Sequence, residues 1–371
     1  MSDTSGYEVD FLAVGGSSKS GDAICIRWGE ELSSRHDRQF VMVVDGGFSY
    51  SANDVVAHIK KHYYGDENLT KEKTIIDILI NTHPHSDHFG GIPGIYESTT
   101  VRKVVMHTPW THAGLPKWFK DGRVTASSIK SHLKEGLESA YSFAQKLNSK
   151  GKAPIELYAG ESYELPYGVL LDVWGPDKKF YDKLLPDFNA TPTTGNGIGD
   201  DRLVLTGKDV PAAQGKLSNV GDTSAENLSG IIFSLRMPTG DILLFTGDAG
   251  IDSLMPAISR MYARQVDFSR LTFFQVPHHG SVQNLGPTIL TLLFGSKVQP
   301  LQPKKVSAFI SVAKSPDNSH PSRRVINALT AYNCNVYKTQ GMSLQHFRGS
   351  AALHTGWNVV KPLKVYEMVE G

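Results

Sequence analysis

The chain of 371 residues carries 38 Lys and Arg against 37 Asp and Glu, a net charge of +1, with 40% hydrophobic and 20% charged residues. That length supports one large α/β domain or two ordinary ones, and the balance excludes both disorder and a global field drawing the protein to nucleic acid or membrane. Cys25 and Cys334 set no disulfide framework, Met1 to Asp10 do not read as a signal peptide, and no apolar run reaches the ~18–20 residues of a membrane span, so a soluble, cytoplasmic protein is expected.

In chain order, residues 9–14 and 23–28 read as a strand pair around the glycine-rich stretch 15–22. Residues 40–44 form a third strand ending in the turn signal Asp45-Gly46-Gly47. Apolar Val55, Val56 and Ile59 give 52–63 a helical period. The β-branched run 74–80 predicts a buried strand that delivers the chain into Asn81-Thr82-His83-Pro84-His85-Ser86-Asp87-His88-Phe89-Gly90-Gly91. A short strand is expected at 103–107, a long surface helix over 126–147, and strands at 155–158 and 169–174. From 177 to 223 the pattern dissolves, which predicts a mobile lid or substrate-contacting insertion. Strands resume at 229–235 and 241–245, the second ending in Thr246-Gly247-Asp248. A helix at 251–263 and a strand at 271–276 lead into Pro277-His278-His279-Gly280-Ser281. A strand at 306–312 and a helix at 322–332 flank His320-Pro321. Strands alternating with helices give an α/β or layered sandwich class, taken as a single domain over 1–371.

Pro84 forbids a regular helix between His83 and His85, so the loop starts extended. Residues i and i+2 of an extended segment point the same way, so these two imidazoles can grip one ion together. The turn from Ser86 to Gly90-Gly91 reverses the chain and lets Asp87 and His88 face a second ion. Imidazole and carboxylate suit zinc first, and manganese or iron as well. A loop past the carboxyl end of a buried strand is also where α/β proteins place ligands. The competing reading is a histidine-rich surface loop, since the chain holds 14 histidines. The density of three histidines and one aspartate between a buried strand and a glycine pair weighs against it.

These residues resemble the metallo-β-lactamase superfamily signature His-x-His-x-Asp-His. More narrowly, the order Gly21-Asp22, Asn227-Leu228-Ser229, Thr246-Gly247-Asp248, Pro277-His278-His279-Gly280-Ser281 and His320-Pro321 is similar to the hydrolase domain of ComEC-type DNA-uptake proteins and their free-standing relatives. The resemblance spans residues 9–347 apart from the middle loop. It implies an αββα sandwich, two mixed sheets packed face to face with outer helices, and a pair of divalent ions. His83, His85, Asp87 and His88 would then be joined by Asp248 as a bridge and His320 as the last ligand. It puts Asn227 where the superfamily usually offers a third histidine to the first metal, leaving Asn227 or Ser281 as a contact to substrate or to that ion. Asp45 is expected to support the metal histidines rather than bind metal itself.

A pair of ions lowers the pKa of a bridging water towards neutrality and supplies hydroxide as nucleophile. Asp87 would orient it, and His278 or His279 would protonate the leaving group or bind a phosphate oxygen. The expectation is a metal-dependent hydrolase, first a phosphodiesterase or nuclease acting on nucleic acid or a small phosphodiester. A hydrolase of small esters, lactones or amides is the alternative, and a catalytically silent binding module the third reading. Lys117, Lys120, Arg123, Lys130 and Lys134 form a basic stretch that fits a phosphate backbone and a solvated helix face equally well. His107, His112, Trp110 and Trp118 are expected at ordinary core and surface positions.

Overall fold

The computed structural model describes residues 5–30, 32, 38–112, 137–188, 209–316 and 320–370. Alternation along the first strands sets its layers. In β1 (Ser5–Phe11), β2 (Ile24–Glu30) and β3 (Gln39–Val44), the side chains of Val9, Phe11, Ile24, Ile26, Met42 and Val44 share one apolar core, while Cys25, Val41 and Val43 join another on the opposite face. β4 (Ile75–Ile80) and β5 (Thr100–Val105) continue this sheet in parallel beyond β3. The second sheet contains β6 (Ser162–Leu165) and β7 (Val169–Gly175), whereas β8 (Asp209–Pro211) stands apart. It continues through β9 (Ile232–Arg236), β10 (Ile242–Phe245), β11 (Leu271–Gln275), β12 (Val306–Ile310) and β13 (Cys334–Lys338). β14 (Leu344–Gly349) returns to pair antiparallel with β1, and β15 (Met368–Glu370) pairs with β8. Among the described residues the orders are β14-β1-β2-β3-β4-β5 and β13-β12-β11-β10-β9-β7-β6. Both sheets are mixed.

The helices are α1 (Ala52–His58), α2 (Ser86–Phe89), α3 (Ile92–Ser98), α4 (Glu138–Ser149), α5 (Lys178–Leu184), α6 (Ala225–Leu228), α7 (Ile251–Ala263), α8 (Pro287–Phe294) and α9 (Arg323–Ala331). α1, α3 and α4 cover the outside of the first sheet, and α7, α8 and α9 the outside of the second. Between the sheets, Phe11 meets Phe309 edge-on at 5.5 Å and Phe245 lies 4.9 Å from Phe233. Burying each such ring contributes about 1.5–3 kcal/mol. The result is the αββα sandwich expected from the resemblance. Among the described residues no helix is long and apolar enough to cross a membrane.

Several elements depart from expectation. The helix read at 52–63 ends in a widened π-turn, Ile59–Tyr63. Residues 155–158 form no strand, and Ile155 makes a single bridge to Val105. The stretch 177–223 does not begin as a loop. Asp177 caps α5 by accepting from Phe180 N, and Tyr181, Leu184, Leu185 and Phe188 are buried. Those four recur at helical spacing, a period masked by the Lys and Asp residues between them. Near its end, Ser224 caps α6 through Asn227 N. Residues 189–208, Trp118 and the basic stretch from Lys117 to Lys134 lie outside the described residues.

Candidate metal centre

The loops following β3, β4, β10 and β11 meet at one rim of the sandwich. Asp45, one residue past β3, sits at φ 59°, and its carboxylate is a hub for the motif loop. Oδ1 accepts from Thr82 N at 2.7 Å and Asn81 Nδ2 at 3.2 Å; Oδ2 accepts from Thr82 Oγ1 at 2.7 Å and lies 2.7 Å from His88 Nδ1. A hydrogen bond from Nδ1–H fixes the tautomer of His88 and presents Nε2 to the centre. Close backbone approach makes this seat possible: Gly91 N donates to Gly47 O at 2.9 Å, and a Cβ on Gly91 would overlap the Gly46 carbonyl.

Around Asp248 the imidazoles converge. Its Oδ2 lies 3.2 Å from His88 Nε2, 3.7 Å from His278 Nε2, and 3.9 Å from both His83 Nε2 and His279 Nε2. His279 Nε2 is also 3.3 Å from Asp87 Oδ2. One ligand atom each from Asp87, His88, Asp248 and His279 fall within 4.8 Å of one another. Buried polar atoms without a hydrogen-bond partner gather here: His83 Nε2, His88 Nε2, Asn227 Oδ1, Asp248 Oδ1 and His279 Nδ1. Each such atom costs about 1–3 kcal/mol. A cation among them answers that cost, so the donor set fits divalent metal.

Electrostatics point the same way. Burial opposes ionisation of Asp248, but His88, His278 and His279 outweigh it and hold the carboxyl well below its usual range. Burial likewise opposes ionisation of Asp87, and His88 and His279 again hold it low. Burial, then the neighbouring His88 and His85, keep His83 well below the ordinary imidazole range, leaving its lone pair for a ligand. His278 and His279 both occupy left-handed backbone, at φ 46° and 52°. Such residues cost about 1–3 kcal/mol each and persist where surrounding contacts over-determine them.

The structure thus brings together His83, Asp87, His88, Asp248, His278 and His279 of the residues singled out in sequence. His85 stacks edge-on against His83 with ring centroids 4.8 Å apart and is more exposed. Asn227 Nδ2 donates to Thr223 Oγ1 at 2.8 Å and stands 3.4 Å from His278 Nδ1. Ser281 Oγ accepts from Gln283 N at 3.1 Å, shaping the turn. His320 lies beside His278, with ring centroids 6.0 Å apart, and is not among the four residues whose ligand atoms fall within 4.8 Å of one another. Three neighbours carried no assigned role in the sequence. Asp22 is buried with its carboxyl raised, chiefly by burial, and accepts from Gln275 Nε2 at 2.7 Å. Gln275 Oε1 in turn accepts from Thr246 N and Gly247 N, holding the loop that carries Asp248. Buried Glu226 lies 4.0 Å from His85 Nε2. Gly21-Asp22 was the one available signal; Glu226 and Gln275 follow no spacing rule.

The family model of the metallo-β-lactamase superfamily matches residues 35–215, a span that includes His83 to His88 and ends before Asp248. No curated protein matches the chain in sequence. Among solved structures, the chain is similar to a HARLDQ-motif mutant of a metallo-β-lactamase from Cronobacter sakazakii, at 14% identity over 69% of this chain and 74% of that one, with a TM-score of 0.31. It is also similar to a metallo-β-lactamase from Hirschia baltica, at 11% identity over 72% and 85%, TM-score 0.29. A mutant CmlA β-hydroxylase aligns at 11% identity over 92% of this chain and 54% of its own, TM-score 0.39. The architecture is the metallo-β-lactamase fold, and the family match supports the metallo-β-lactamase superfamily for this chain.

Proposed function

We propose that the protein is a cytoplasmic metal-dependent hydrolase of phosphodiesters, using a pair of divalent ions, zinc foremost, held among His83, His85, Asp87, His88, Asp248 and His279. The observation that carries this reading is the convergence of Asp87, His88, Asp248 and His279 within 4.8 Å, among buried polar atoms that lack hydrogen-bond partners and whose donor set suits a cation. Bound ions of this kind supply Lewis acidity and an activated water. Asp248, with imidazoles on several sides of one oxygen, would hold metal together with them. Asp45 orients His88, and Asp22 with Gln275 steadies the loop bearing Asp248. His278 is partly exposed at the rim and stands beside the Asn227 amide, a donor pair suited to non-bridging phosphoryl oxygens or to a leaving alkoxide. The likeness to ComEC-type hydrolase domains supports the phosphodiester over the carboxylic ester. Nucleic acid and small phosphodiesters are the substrate classes to test.

The test is hydrolysis of bis(p-nitrophenyl) phosphate by chelated protein before and after zinc or manganese is restored. Metal-dependent turnover that disappears in Asp87→Asn is the expected result. A folded, metal-loaded protein inert on this diester but active on p-nitrophenyl acetate or a lactone would move the assignment to the small-molecule hydrolases.

A further inference from the structure

Away from that rim, a second set of histidines surrounds one carboxylate. Asp10 lies within β1 and is wholly buried; its Oδ2 is 2.9 Å from each of His58 Nε2, His354 Nε2 and Tyr63 Oη. A carboxylate oxygen has about two lone-pair directions. Three donors therefore crowd Oδ2, while the buried Oδ1 has no hydrogen-bond partner. A network built for hydrogen bonding alone would share its donors between both oxygens. The rings of His58 and His354 cross at 77° with centroids 5.4 Å apart, so their Nε2 atoms approach one point from different directions instead of stacking.

The local backbone explains the convergence. The π-turn Ile59–Tyr63 widens the end of the helix, returning Tyr63 to the carboxylate that His58 already faces. Such π-turns recur at functional sites. His354 comes from residues 350–367, which form neither helix nor strand and are tied down by single bonds such as His354 N to Gln345 Oε1 and Leu363 N to Val336 O. Glu8 Oε1 pairs with Arg27 Nε at 2.7 Å and also lies 3.4 Å from His354 Nε2.

We propose that Asp10, His58 and His354 bind a divalent transition ion, with zinc the natural choice for two imidazoles and a carboxylate, as a clasp fastening the segment after β14 to α1. Their ligand atoms already lie within 4.8 Å of one another. With an ion among them the imidazoles contribute lone pairs in place of protons, and Tyr63 remains the hydrogen-bond donor to Asp10.

Crystals of the full chain grown with zinc, measured on both sides of the zinc absorption edge, test this without any variant. An anomalous peak enclosed by Asp10, His58 and His354 is expected, separate from those at the rim. Density at the rim alone, or at neither place, overturns the clasp. In solution, His354→Gln should lose about one zinc equivalent per chain, lose the zinc-dependent rise in Tm that this site provides, and hydrolyse diester at the wild-type rate. Unchanged zinc content in folded His354→Gln overturns the proposal, whereas loss of hydrolysis activity in every form of the protein bears on the rim assignment instead.

Discussion

Asp248 and Asp10 are both fully buried aspartates approached by histidines, yet they sit in different mechanical settings. Asp248 stands on a loop past the end of β10, among groups delivered by other loops, and Asp87, His85 and His278 in that group are partly exposed. Asp10 stands inside a strand whose backbone is paired on both sides, opposite Cys25 on β2 and Gln345 on β14. The first setting opens to solvent and leaves its side chains room to adjust; the second locks its members and closes over them. A third histidine supplies the baseline. His112 lies 2.6 Å from Asp182 through Nδ1 and 3.1 Å from Glu156 through Nε2, so both ring nitrogens are satisfied. The same residue types thus make three kinds of site, and what separates them is unpartnered atoms and access.

The strongest way to break this contrast is Asp248→Asn, for which we expect a fall in kcat/KM of about 10³-fold, about 4 kcal/mol of transition-state stabilisation, with an unchanged far-UV circular dichroism spectrum. A loss below about tenfold would remove Asp248 from the centre. Next in size, Asp45→Asn should weaken rim metal affinity by about 10–100-fold, read by chelator competition. Equal affinity would show that His88 needs no orienting partner.

At the satisfied cluster, His112→Gln should cost about 1–2 kcal/mol in urea unfolding, with no response to zinc. Burial works against both charges, but the pairing raises the pKa of His112 and lowers that of Glu156 to about 2. The contribution of Glu156 is complete above its unfolded value of 4.5 and is lost as pH falls through about 2. That of His112 is complete below 6.5 and is lost as pH rises through its raised folded value. The gap between wild type and variant should therefore be widest between 4.5 and 6.5. A flat gap across pH would mean that the pair is held by packing. Smallest of all, Tyr63→Phe should cost about 1 kcal/mol and leave diester hydrolysis untouched, since it faces Asp10 and not the rim.

The rim was largely legible in sequence because its polar groups crowd into short loops: His83, His85, Asp87 and His88 lie side by side, and Asp248 and His279 follow strands with clear β-branched or aromatic signals. α7 fell where its apolar period put it. What could not be read depends on distance along the chain. Asp10 meets His58 across 48 residues and His354 across 344, and no local pattern links them. β14 reads Leu-Gln-His-Phe-Arg-Gly, too polar to announce itself, and takes its strand form from β1.

The pairing of β14 with β1 also fixes when the first sheet can be finished. Residues 5–11 are made early and 344–349 late, so during synthesis β1 has β2 on one flank and open backbone donors and acceptors on the other. An unpaired flank of this kind attracts strands from other chains, and contacts so far apart in sequence form slowly. The growing chain therefore carries an unpaired strand edge through most of its elongation, and the first sheet reaches its full width only once residues 344–349 arrive.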